Sequence, residues 1–191
     1  MFNDTSSLLS YLRTRRSARP RDMVEPGPSA EQLRDILALA ARTPDHGKLA
    51  PWRFIHIARE RREAFAAMLE AAYRAGKPDA GRLEIEAAHR FAAQAPELII
   101  VLSRPNPESH IPLWEQELSC GAACMNLLHA ARAHGFAGGW VTGWAAYSPH
   151  VLDALGDAPP ARVAAFIFLG TDGSELEERL RPELGQVVRQ W

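Results

Sequence analysis

The sequence predicts an α+β fold, a sandwich in which a mixed, mostly antiparallel sheet is flanked by helices. Two continuous apolar runs, 98–102 and 163–169, are typical of strands that are buried on both faces. Segments with apolar residues three and four positions apart are typical of amphipathic helices, and they outnumber the strands without a regular βαβ alternation. A chain of 191 residues can bury its own core, so we predict one domain over 1–191.

The N-terminal part is predicted to contain two helices separated by a connector rich in proline and charge at 20–28. The first helix has an N-cap at Asp4 or Thr5 and an apolar face made of Phe2, Leu8, Leu9 and Leu12. Ser29 and Gln32 have the spacing of a capping box and begin the second helix. Pro44 ends it, because the residue before a proline is disfavoured in the α region.

The middle of the chain is predicted to form a strand, two helices and a second strand. Ile55 and Ile57 alternate with His56, which indicates a strand over 53–59. Helices are expected over 60–75 and 82–95, on either side of a break at 76–81. The apolar run that follows indicates a buried strand over 97–103.

The C-terminal half begins with the longest predicted helix, 112–135, whose many small residues indicate a central position or a subunit interface. A strand is expected over 138–144. Ser148 and Pro149 have the residue types of an N-cap and a first helical position, which predicts a short helix. A second buried strand is expected over 162–170, and a polar tail follows it.

Composition excludes several classes of function. The chain carries 22 basic and 23 acidic side chains, which argues against a nucleic-acid surface. Cys120 and Cys124, four positions apart on a predicted helix, are poorly placed for a disulfide. They are predicted to be small buried hydrophobes rather than zinc ligands, and no metal site is expected. The lack of a signal-like start or an 18-residue apolar run predicts a soluble, cytoplasmic protein without a membrane partner.

One cluster of basic residues is not explained by the overall composition, because the chain has no general excess of basic charge. Arg15-Arg16-Ser17-Ala18-Arg19 places three guanidinium groups and a hydroxyl group directly after an apolar helical stretch. Guanidinium groups match phosphate oxygens bidentately and stay charged at physiological pH. The run is therefore either a solvated helix end or the anchor of a specific anionic ligand.

Three other segments each have a structural and a functional interpretation. The proline-bounded loop at 42–52 carries His46 and Lys48, which either serve the loop's own structure or contact an anion or heterocycle. The segment 135–140 is either a glycine cap with a tight turn or a backbone that passes close to a planar ligand. The acidic start of the long helix either offsets the helix dipole or places Trp114 or Glu115 at a pocket.

Three motifs, in order along the chain, resemble the FMN-dependent nitroreductase family. They are Arg15-Arg16-Ser17-x-Arg19, Pro44-(x)6-Pro51-Trp52 and Gly138-Gly139-Trp140. The resemblance extends over nearly the whole chain. It implies a homodimer in which each FMN lies at the subunit interface, with NADH or NADPH as reductant and a small-molecule electron acceptor.

The resemblance also implies site residues. The phosphate and ribityl chain of FMN would be bound by Arg15, Arg16 and Ser17, with a further phosphate contact from Arg181. The flavin would be approached by Arg42, by His46 of the other subunit, and by Trp140, Val141 and Thr142. The nicotinamide cofactor would contact Ala130, Ala131, Arg132, Ala133, His134 and Gly135. Arg16 is also the candidate cation beside flavin N1, where the reduced ring carries negative charge.

These expectations lead to one main function and two alternatives. Because flavin carries the hydride chemistry, the chain needs no nucleophile or acid–base pair of its own. This agrees with the absence of G-x-G-x-x-G, P-loop and G-x-S-x-G motifs. We expect a ping-pong oxidoreductase in which NAD(P)H reduces FMN and a nitroaromatic or quinone reoxidises it. The alternatives are an FMN-binding sensor or carrier without significant turnover, and a structural dimer.

Overall fold

The computed structural model describes residues 2–191. Its centre is a five-stranded sheet made of β1 (Met23–Val24), β2 (Trp52–Ile57), β3 (Glu97–Ser103), β4 (Ala137–Val141) and β5 (Arg162–Asp172). β3 lies between β2 and β5, while β4 and β1 pair with successive parts of β5. Every strand pair in the described part of the chain is antiparallel. The predicted fold class is confirmed.

Helices cover both faces of this sheet. They are α1 (Leu8–Thr14), α2 (Ala30–Ala40), α3 (Arg62–Gly76), α4 (Arg82–Ala92), α5 (Leu113–Ala133), α6 (Trp144–Tyr147), α7 (Pro149–Ala154) and α8 (Leu184–Val187). Leu98, Ile100 and Leu102 of β3 pack in a cluster with α3, α4 and α7. Ile99 and Val101 point the other way and pack with α2 and α5. Burying each such side chain contributes about 1.5–3 kcal/mol, so β3 anchors both layers.

Two predicted helix starts are confirmed by their caps. Gln32 N donates to Ser29 Oγ at 3.2 Å and Ser29 N donates to Gln32 Oε1 at 2.9 Å, which completes the capping box of α2. Ser148 Oγ accepts a hydrogen bond from Val151 N at 3.4 Å, and Pro149 is the first residue of α7. These contacts satisfy backbone N–H groups that a helix start otherwise leaves without partners.

The first helix differs from the prediction. Its N-cap is Ser7, whose Oγ accepts from Ser10 N at 3.0 Å, because Asp4 instead accepts from Ser6 N in a local turn. Three of the four residues of the predicted apolar face point outward: Leu8, Leu9 and Leu12 are 74, 56 and 49% exposed. The fourth, Phe2, lies before the helix and is half-buried, and Tyr11 is the buried residue of α1. Periodicity placed these leucines on one face, but this face does not pack on the chain's own core.

Several other helix and strand boundaries also differ from the predicted ones. A 3-10 turn at Arg59–Arg61 separates β2 from α3, so the strand and the helix are both shorter than predicted. Gly143, with φ of 81°, ends the β4 segment and turns the chain into α6, which takes Trp144 out of the predicted strand. β1 lies in the segment that was expected to be an irregular connector, and α4 ends at Ala92 rather than at Ala95.

The cysteines are buried between α5 and the sheet as free thiols, which confirms their predicted hydrophobic role. A hydrogen bond with Cys120 and burial both raise the pKa of the Cys124 thiol. In the described residues, no group of three or more His, Cys, Asp or Glu side chains could hold a metal ion. None of the helices described is both long enough and apolar enough to cross a membrane.

Candidate functional site

A cleft of about 380 Å³ brings together residues from the end of α1, the middle of α5 and the end of β4. It is lined by Arg15, Ser17, Met125, Leu128, Trp140, Val141 and Thr142. Five of these residues were predicted site residues and come from two distant segments. Met125 and Leu128 were not predicted, because a helical pattern alone does not distinguish a cleft wall from a core.

The polar end of the cleft is formed by Arg15 and Ser17. Arg15 Nη2 donates to Ser17 Oγ at 3.1 Å, so a guanidinium group and a hydroxyl group lie side by side. Arg181 Nη2 donates to the carbonyl oxygen of Arg15 at 3.4 Å, which brings a second guanidinium group to the same segment. This end can bind an anion through charge-assisted hydrogen bonds.

The rest of the cleft lining is mostly apolar. Met125, Leu128, Trp140 and Val141 contribute to it, and Trp140 is 39% exposed. Trp140 Nε1 donates to Ala164 O at 3.1 Å, which holds the indole ring in place. An anion-binding end joined to an apolar wall suits a ligand with a phosphate group and a flat ring.

Glycine allows the arginine segment to lie against β4. Ala18 N donates to Gly138 O at 3.2 Å. A Cβ atom on Gly139 would lie only 2.6 Å from Ala18 O. The close approach that the structure shows for this segment is therefore to the chain's own backbone. Gly135, with φ of 89°, follows the end of α5 as the predicted glycine cap.

Arg16 points away from the cleft. The backbone is extended after α1, so successive side chains point to opposite sides. Arg16 Nε donates to Glu177 O at 2.7 Å in a neighbouring depression that Ser17 and Arg19 also line. The expectation that Arg16 provides the cation beside a flavin is therefore not supported by its position. Arg15 is the arginine of this run that faces the cleft.

A second cavity of about 570 Å³ lies between α1, α2 and α5. It contains three predicted site residues, Arg42, Ala130 and Ala133. The remaining residues of 130–135 diverge around the helix: Ala131 is buried, while Arg132 and His134 hydrogen-bond to Asp172 and Asp35 at 2.8 and 2.9 Å. Because consecutive helical residues point in different directions, these six residues do not form one contact surface.

Tyr11 and His129 form a hydrogen-bonded pair at this second cavity, and neither was predicted. Tyr11 Oη lies 3.0 Å from His129 Nδ1, and the two rings meet edge to face. Burial, followed by the charge of Arg15, lowers the pKa of His129. Burial raises the pKa of Tyr11. A neutral imidazole can thus accept the hydrogen bond from the tyrosine hydroxyl group.

His46 belongs to neither cavity. It lies in the 3-10 turn His46–Lys48, with 65% of its side chain exposed, and its Nδ1 lies 2.8 Å from Glu115 Oε2. Glu115 therefore contacts the loop rather than a pocket of its own chain. Trp114, the other residue considered at this helix start, is 65% exposed.

The chain is similar to known proteins over most of its length. Residues 12–171 match the model of the Nitroreductase family. The chain is 40% identical over 164 residues to an Escherichia coli strain K12 protein named "Putative NAD(P)H nitroreductase YdjA", covering 85% of this chain and 87% of that protein.

Solved structures share the fold at low sequence identity. A nitroreductase-like family protein from Bacillus cereus is 19% identical with a TM-score of 0.80, covering 97% of this chain and 96% of the other. A mutant of the FMN and NADPH-dependent nitroreductase NfnB from Sphigopyxis sp. strain HMH is also 19% identical, with a TM-score of 0.70 and coverage of 94% and 96%.

Proposed function

Because the chain belongs to the nitroreductase family, we propose that it binds FMN in the Arg15 cleft and uses NADH or NADPH to reduce electron-poor acceptors. Nitroaromatics and quinones are the proposed acceptor classes. The observation that carries the proposal is that one cleft holds the Arg15–Ser17 pair together with the apolar side chains of Met125, Leu128 and Trp140. Bound FMN supplies the hydride chemistry.

The residues of the cleft have different proposed tasks. Arg15 and Ser17 would bind the phosphate, since their polar groups lie side by side in the cleft, and Arg181, which hydrogen-bonds to the backbone of Arg15, would add a further contact. Trp140, Val141 and Thr142, which line the same cleft, would contact the ring. Because the protein contributes binding and orientation, the absence of a catalytic triad from the cleft agrees with a cofactor-based reaction. Ala130 and Ala133 are the proposed contacts of the nicotinamide cofactor, through the second cavity.

A homodimer is part of the proposal. Large apolar side chains of α1 and of the start of α5 are exposed, namely Leu8, Leu9, Leu12, Leu113, Trp114 and Leu118. The C-terminal tail exposes Leu180, Leu184, Val187, Val188 and Trp191. Apolar surface of this extent is typical of an interface. Since Arg42 and His46 lie outside the Arg15 cleft in their own chain, we propose that they reach FMN in the partner's cleft.

Sedimentation of the purified protein tests the homodimer. We expect a dimer, and we expect Leu9→Glu to shift it toward monomer because this charge would be buried in the interface without a partner. Leu83→Glu is a matched control, since Leu83 is 66% exposed on α4, away from α1 and α5. A wild-type monomer with FMN bound would contradict the shared site.

Anaerobic reduction of the FMN-loaded protein by NADH or NADPH tests the activity. Loss of the yellow colour and its return with a nitroaromatic or quinone would support the oxidoreductase. A yellow protein that neither nicotinamide cofactor bleaches would instead support the binding module. The free thiols of Cys120 and Cys124 suit the reducing, cytoplasmic setting that we propose.

A further inference from the structure

The loop that carries His46 is held by one face of α5. Asn126 Nδ2 donates to Arg42 O at 3.3 Å, and Ser119 Oγ donates to Pro44 O at 2.6 Å. Glu115 accepts from His46 Nδ1 at 2.8 Å. Residues 115, 119 and 126 share a helical face, because residues four and eleven positions apart return to the same side. The loop is thereby fixed along three turns of a long, central helix.

The loop's backbone is also constrained from within. Lys48 and Ala50 have φ angles of 55° and 46°, in the left-handed region that side chains rarely adopt. The carboxylate of Asp45 accepts from Leu49 N at 3.2 Å and from Ala50 N at 2.8 Å. Such conformations persist where the surroundings enforce them, and they are common next to functional groups. His46 therefore projects from a rigid support.

The hydrogen bond to Glu115 determines which nitrogen of His46 carries a proton. A carboxylate can only accept, so Nδ1 must donate. In the neutral imidazole this leaves Nε2 with a lone pair, at the side of the ring opposite Glu115. In the part of the chain that the structure describes, Glu115 is the one side chain that hydrogen-bonds to His46. When the ring is neutral, Nε2 is thus presented as an acceptor on an exposed side chain.

We propose that Glu115 is a positioning residue, which fixes His46 so that Nε2 accepts a hydrogen bond from the ring of FMN in the partner's cleft. This inference rests on the proposed function. Oxidised isoalloxazine has a single ring N–H, at N3, so the acceptor tautomer selects that atom. His46 lies outside both cavities described above, and the exposed Leu113, Trp114 and Leu118 place Glu115 on the proposed dimer face.

Nitrogen NMR of the purified chain with 15N-labelled histidine tests the positioning role without FMN. At about pH 9, where imidazole is uncharged, the His46 signal can be identified by its loss in His46→Gln. We expect the proton on Nδ1 in the wild type and on Nε2, the usual tautomer in water, in Glu115→Ala. Glu115→Gln should keep the wild-type tautomer, because an amide oxygen can still accept from Nδ1.

A matched control is available on the same helix. Glu117 pairs with Arg162 at 3.3 Å, two positions from Glu115, and Glu117→Ala should leave the tautomer of His46 unchanged. A wild-type His46 with its proton on Nε2, or a Glu115→Ala protein that keeps Nδ1–H, would overturn the proposal.

Binding of FMN and of 3-methyl-FMN tests the contact itself. The wild type should bind 3-methyl-FMN about 10-fold more weakly, since one hydrogen bond is lost. The ratio of the dissociation constants for 3-methyl-FMN and FMN should approach one in His46→Ala and Glu115→Ala. It should stay at the wild-type value in Glu117→Ala. Equal affinities in the wild type would overturn the N3 contact. Failure of the wild type to bind either flavin would refute the proposed function, while the NMR result would still decide the role of Glu115.

Discussion

Replacing Arg15 with alanine is expected to weaken FMN binding by roughly 5- to 150-fold, which corresponds to about 1–3 kcal/mol. Arg15 is the arginine of its run that faces the cleft, and its guanidinium group lies beside the Ser17 hydroxyl group. Its loss removes a charge-assisted donor from the proposed phosphate site. Titration of the apo-protein with FMN measures the change.

The cause of that loss can be separated from a general change in charge. Arg13 lies two residues earlier, is exposed and is absent from the cleft lining, so Arg13→Ala is a matched control. Riboflavin lacks the phosphate group, and Arg15→Ala should therefore change riboflavin affinity little. Equal losses for FMN and riboflavin would mean that Arg15 does not bind the phosphate.

Replacing Gly139 with alanine is expected to lower the free energy of unfolding by about 1–3 kcal/mol, as overpacking does. The added Cβ would lie 2.6 Å from Ala18 O and 3.3 Å from Met23 Cε. Because Ala18 O is a backbone atom, no rotamer change can relieve the contact. The segment that carries Arg15 and Ser17 must move off β4, so FMN binding should weaken as well.

Denaturant unfolding and FMN titration check both effects, with Gly76→Ala as the control. Gly76 is the last residue of α3, which packs on the opposite face of the sheet from α5, and a Cβ there would meet only His150 Cδ2, at 4.0 Å. Alanine favours a helix over glycine by about 1 kcal/mol, so this variant should be unchanged or more stable. If Gly139→Ala unfolds like the wild type, the arginine segment is not held against β4 by this close approach.

Sequence patterns predicted correctly those helices and strands that depend on interactions between neighbouring residues. The capping box at Ser29 and the buried strand at Glu97–Ser103 occur where the sequence indicates, because each depends on neighbouring residues. Periodicity also placed the leucines of α1 correctly on one helix face. Whether such a face is buried depends on distant parts of the chain or on another chain. Periodicity therefore could not predict that these leucines are exposed.

The candidate site was likewise predictable only where it depends on neighbouring residues. The arginine run and Trp140–Thr142 were recognised as segments, yet an extended backbone sends Arg15 and Arg16 to opposite sides. Met125 and Leu128, like the Tyr11–His129 pair, become visible only when α5 is packed against its neighbours. The pairing of His46 with Glu115 joins residues 69 positions apart, and no local pattern encodes it.

Anaerobic reduction is the most direct test of an FMN-dependent oxidoreductase. The chain is reconstituted with FMN, freed of excess cofactor and mixed with one equivalent of NADH or NADPH in the absence of oxygen. We expect the absorbance of oxidised flavin to disappear with at least one of the two, and to return when a nitroaromatic or quinone is added. A protein that retains FMN but is bleached by neither nicotinamide cofactor would contradict the proposed activity.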